Sequence, residues 1–235
     1  MFSSPPYCVG LILAVLYSSC TNHHVDVVFY RTGDHQFSWS EQRVIQTIAD
    51  STTLEVRQML PTLPTSLTLR VESGQQVDPE TGAAATPRPP DVVYWTVDPT
   101  RTGGVSAIAR TQLRATLLHP FYYLARRAAT GPGQRLRDDV VAVGLATVFA
   151  RNFGGGSVPW GAYPPQVSSW VQEVLALPND APRDQWMDRH PDGRRWIGPR
   201  VGAYLVDRAI RASGRSITNL VSASTDDIIR IALER

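Results

Sequence analysis

His119 lies in the segment Leu113-Arg-Ala-Thr-Leu-Leu-His119-Pro120-Phe121-Tyr122-Tyr123-Leu-Ala-Arg-Arg127, where apolar residues recur every three or four positions, as on one face of a helix. Side chains four apart on a helix point the same way. Imidazoles at 119 and 123, with a carboxylate at 120, would therefore supply two zinc ligands and a base for the metal-bound water. The chain carries Tyr123 at the second ligand position and Pro120 at the base position. A lone imidazole is a poor zinc site, because structural zinc draws roughly 10–16 kcal/mol from a full ligand set. A Tyr123 phenolate would have to be made from a group whose ordinary pKa is about 10.

The remaining candidates are few. The two cysteines, Cys8 and Cys20, both fall within the first twenty residues, so the body of the chain has no thiol with which to build a disulfide or a metal site. Of the other histidines, His23 and His24 follow the leader, His35 stands alone, and His190 lies in the turn-like Arg189-His-Pro-Asp-Gly. His190 is the available substitute ligand. A rearranged site would combine His119 and His190 with a carboxylate such as Asp138 or Asp139. Arg194 and Arg195 read as a surface charge pair, with recognition of a substrate carboxylate as the sharper alternative.

These residues must be positioned by the elements around them. Val25–Tyr30 is a β-prone run, and a helix opens at Ser38 with apolar Val44, Ile48, Leu54, Val56 and Leu60 before Pro61. Ser66–Val71 alternates as a strand, residues 73–90 read as a loop, and Asp91–Val97 is a second strong strand. From there the pattern is helical, over 105–128, 137–151, 165–177, 183–189, 199–213 and 225–234. Pro120 should kink the first of these, because it lacks the N–H that would bond Thr116 and its ring presses on that carbonyl. Strands followed by helices predict an α+β fold, a small antiparallel sheet followed by a helical half, in a single domain over 21–235.

Hydrophobic residues make up 43% of the chain and charged residues 19%, which suits a globular protein with a substantial core. A net charge of +2 gives no electrostatic case for a nucleic-acid partner. The apolar run Cys8–Tyr17 is too short to span a bilayer but fits a signal-peptide core. It leads to Ser18-Ser19-Cys20, so residues 1–20 read as a lipoprotein-like leader. Export to the cell envelope and a lipid tether at Cys20 follow as expectations.

Residues 25–235 resemble a bacterial family of predicted zinc-dependent proteases of the zincin type. The resemblance rests on a strand ending in Asp98-Pro99, the helix Arg114–His119, Gly144-Leu-Ala-Thr-Val-Phe149, Pro159-Trp-Gly161 and Arg189-His-Pro-Asp-Gly-Arg-Arg-Trp-Ile-Gly198. It implies a zincin-like fold, zinc as the family's cofactor, and a third-ligand Glu where this chain has Val143, 24 positions after His119. Of three ligands and one base, His119 alone is kept. The resemblance therefore implies a catalytically inactive relative with no bound cofactor, whose cleft could take a peptide or protein. The alternative is an active zinc peptidase built on His119 and His190.

Overall fold

A computed structural model describes residues 24–31, 35–154 and 160–234. The leader, Cys8, Cys20, His23 and Pro159 lie outside them. The described chain is α+β. Its strands are β1 (Asp26–Phe29), β2 (Thr68–Ser73), β3 (Ala83–Arg88) and β4 (Val92–Val97), in the spatial order β1-β2-β4-β3.

The sheet is not the antiparallel one expected. β1 pairs parallel to β2 and β2 parallel to β4, and only the β3–β4 pair is antiparallel. For the first pair the reason is α1 (Trp39–Met59), which joins β1 to β2, while β2 and β4 run the same way because β3 returns between them in the chain. A parallel pair needs a long crossover, and this helix supplies it. The expected loop over 73–90 also contains a strand. Residues Ala83–Arg88 are poor strand formers but are held by pairing along β4, and Pro87 is tolerated because β3 is an edge.

Ser38 caps α1 in a reciprocal capping box with Glu41. The buried stripe of this helix runs through Ile45, Ala49, Thr52, Thr53 and Val56. It does not include Leu54, one of the apolar residues of the sequence pattern, which is 44% exposed. On the sheet, Leu69, Val71, Val93, Trp95 and Val97 form the buried face.

The helical half begins with α2 (Gly104–Ile108), a single π-helical stretch over Ala109–Leu113, and α3 (Arg114–Thr130). The chain runs helical through Pro120, so the proline does not end the helix. The irregularity lies upstream, in the π stretch. There the Thr116 hydroxyl donates to the carbonyls of Gln112 and Leu113 (3.0 Å each), taking up acceptors next to the widened turn. The same hydroxyl accepts from the Trp95 indole at 3.2 Å, which ties α3 to the sheet.

Next come α4 (Leu136–Gly154), α5 (Val167–Leu175), α6 (Arg183–Met187), α7 (Ile197–Ser213) and α8 (Thr225–Leu233). Tyr122 and the buried Arg126 secure the segment before α8: the Tyr122 hydroxyl donates to Ile217 O at 2.8 Å, and Arg126 Nη1 donates to Val221 O and Ala223 O.

α4 and α7 touch backbone to backbone. A Cβ on Gly144 would be driven into the backbone of Gly202, and one on Gly202 into the carbonyl of Val140. Gly198, one turn earlier, has Met187 Sδ at 2.5 Å and Val140 Cγ2 at 3.2 Å from where its Cβ would sit. Both helices bury their neighbouring residues, so neither has room to move away. Gly144→Ala and Gly202→Ala are each expected to destabilise by about 3 kcal/mol, the upper end for overpacking, measured by denaturant unfolding. A loss below about 0.5 kcal/mol would show that the helices can separate without cost, since surface changes lie in that range.

Candidate functional site

Three elements meet where the sequence placed its chemistry. α3 carries His119 and Tyr123 one turn apart, α4 carries Val143, and Trp160 follows the end of α4. α3 and α4 pack through Tyr122 on Phe149, with ring centroids 5.0 Å apart. The Trp160 ring stands edge-on to His119 at 6.3 Å, and Trp196 continues the row 5.9 Å beyond it.

His119 as a whole is partly buried, but its Nε2 is closed off from solvent and has no hydrogen-bond partner among the described residues. Burial pushes its pKa down to about 4, so the ring is a neutral imidazole at pH 7. Tyr123 stays a phenol. Burial raises its pKa, Asp139 raises it further, and Arg127 and Arg183 only partly offset this. The Arg127 guanidinium lies over its ring at 5.9 Å. Val143 is partly buried and offers no lone pair.

The nearby carboxylates already have partners. Asp138 accepts from Arg135 Nη2 at 2.8 Å and from the backbone N–H groups of Gln134 and Arg135. Burial alone would raise its pKa, but those donors outweigh it and hold the group ionised. Asp139 pairs with Arg183 of α6 at 2.9 Å, and burial raises its pKa against the pull of Arg183 and Arg127. Neither acid is a free base or ligand.

His190 is engaged elsewhere. Its Nδ1 lies 2.9 Å from Asp192 Oδ1, and its ring packs on Trp186 at 4.6 Å. The turn it occupies is closed by the Arg189–Arg195 bridge. Arg194 is not a spare cation. It forms a two-point pair with Glu173 of α5 (2.7 and 2.8 Å), contacts Asp192 at 2.7 Å and lies over Trp170. Arg195 is exposed and covers Trp196 at 4.1 Å.

The zinc implied by the family resemblance does not fit these residues. Among the described residues, no three His, Cys, Asp or Glu side chains stand close enough to share a metal ion. His119 offers one neutral nitrogen, and the positions beside it are a phenol held protonated and an isopropyl group.

Two residues of this region were not singled out from the sequence. Thr116 anchors α3 to Trp95, and the signal was a Thr four residues before a helical proline. Trp196 adopts φ 56° at the N-terminus of α7, a left-handed conformation rare for a bulky residue. No local pattern marks it, since it depends on packing against Trp160, Arg195 and Arg200. No family model, curated protein or solved structure matches the chain.

The enclosed imidazole predicts an acid-side loss of stability. Above about pH 6.5 the ring is neutral in the folded and unfolded chain alike. Between about 6.5 and about 4 the unfolded chain takes up a proton that the folded chain refuses. Stability should then fall by about 1.4 kcal/mol per pH unit across that window and level off below it. In His119→Leu this contribution should vanish, with stability at pH 7 within about 1.5 kcal/mol of the parent. Parallel pH profiles for the two proteins would contradict an enclosed neutral imidazole.

Proposed function

We propose that the chain is a zincin-like pseudoenzyme, a relative of zinc metallopeptidases that keeps the frame of the active-site helix without its chemistry. The observation that carries this reading is the state of His119, a neutral imidazole whose Nε2 is enclosed and unpartnered. It stands one turn before Tyr123, on a helix packed against the one bearing Val143. The placement suits an inherited ligand position, and the neighbouring groups cannot complete a metal site.

What remains is a binding or scaffold role. A peptide or protein is the partner this reading favours, at the envelope, tethered through a leader that ends at Cys20. The alternative, an active peptidase using His119 and His190, draws less support: His190 packs on Trp186 and Asp192, while Asp138 and Asp139 are bound by Arg135 and Arg183.

Reversion tests the proposal. Pro120→Glu, Tyr123→His and Val143→Glu introduced together should give a folded protein that takes up one zinc per chain, measured by elemental analysis after dialysis, while the parent takes up none. A folded triple variant that binds no zinc would contradict descent of this site from a zinc helix.

A further inference from the structure

The outward side of α1 carries a surface that the candidate site does not explain. Trp39 is 72% exposed, with the Arg43 guanidinium over its ring at 5.2 Å. Trp39, Arg43, Val44, Thr47, Ile48 and Arg110 line an open groove of about 370 Å³ that includes no acidic side chain. Trp39, Arg43 and Thr47 follow one another at four-residue spacing, and the exposed Leu54 continues the same side two turns on. The acids of α1 are engaged elsewhere: Glu41 in the capping box and beside His35, Glu55 with Arg114 at 2.6 Å, and Asp50 with His24 at 2.8 Å.

Gln46 donates to Val25 O at 3.2 Å and Asp50 lies 2.8 Å from His24, so His24, where the described residues begin, sits alongside α1, next to the strip that carries Trp39 and Arg43. Cys20 is four residues away. Four residues reach at most about 14 Å. A lipid on Cys20 would therefore hold this side of α1 against the headgroups of the membrane. An indole with an apolar body and a polar N–H, flanked by cations on long apolar stems, suits that interface, and the bare positive charge suits an anionic one.

We propose that the face of α1 carrying Trp39 and Arg43, with Arg110 of the π-helical stretch beside it, docks on an anionic phospholipid surface and orients the tethered domain with α1 toward the bilayer. This rests on the anchoring part of the proposed function and not on the fate of the zinc site.

The test uses the full chain with vesicles of phosphatidylcholine, alone or containing phosphatidylglycerol. Partition should be stronger on the anionic vesicles and weaken with salt. Arg43→Gln and Arg110→Gln should each reduce it on the order of fivefold, the effect of one basic side chain near an anionic surface. The Trp39 emission, taken as the difference from Trp39→Phe, should shift to the blue and escape aqueous quencher. All three positions lie on the open groove, so the variants should keep the fold, checked by circular dichroism. A chain that sediments with both vesicle types equally, with Trp39 still quenched and both Arg variants unchanged, overturns the docking while leaving the anchor. A chain that sediments with neither overturns the docking. Self-association without vesicles, abolished by Trp39→Ala, would assign the face to a second copy and overturn the proposal.

Discussion

The close approach of α4 and α7 at Gly144 and Gly202 is the constraint on which the helical half depends. With no side chain on either glycine, the two backbones meet directly, and Val140, one turn before Gly144, closes on Gly202 as well. That contact fixes the axis of α4. It therefore also fixes where Val143 stands and which face α4 turns to α3. α7 in turn carries Trp196 at its start and receives Met187 of α6 against Gly198, so the aromatic row from His119 through Trp160 to Trp196 is referred to the same crossing. At a packing this tight, one methyl group cannot be absorbed by rotamer changes alone.

The candidate site is held from the other side by the sheet. Trp95 lies in the buried face of β4, and its indole reaches Thr116 at the base of α3. The hydroxyl of Thr116 then feeds carbonyls beside the π stretch. Pro120 removes one helical hydrogen bond, yet the helix continues, because its buried neighbours Leu117, Leu118, Phe121 and Leu124 keep it packed on both sides. Packing of this kind outweighs a local preference of about 3 kcal/mol.

Where local signals were strong, the structure agrees with them. The helices around Leu117 and Phe121, the capping box at Ser38, the cap at Ser224 and the strand at Val92–Val97 all follow from periodicity and caps. The mixed pairing of the sheet was not legible, because pairing direction depends on the connections and not on the strands. β3 was not legible because Ala83–Arg88 has little strand preference of its own and takes its form from β4. Which apolar residues of α1 face the core was not legible, because a helix of mixed Ile, Thr and Ala offers two stripes, and burial chose the one with Ile45 and Ala49 and left Leu54 exposed. At the site, the residue types at 119, 120, 123 and 143 could be read in advance. The pairing of Asp139 with Arg183, of Arg194 with Glu173 and of His190 with Trp186 could not, since each joins segments distant in sequence or turns on tertiary packing.

The account holds that a single neutral imidazole, a protonated phenol and a valine make a site that holds no metal. The most direct measurement is the zinc content of the unaltered full chain, purified without chelator and measured by elemental analysis beside its protein concentration. Zinc well below one equivalent, unchanged in His119→Leu, is the predicted result. One equivalent that survives dialysis and is lost in His119→Leu would contradict the account.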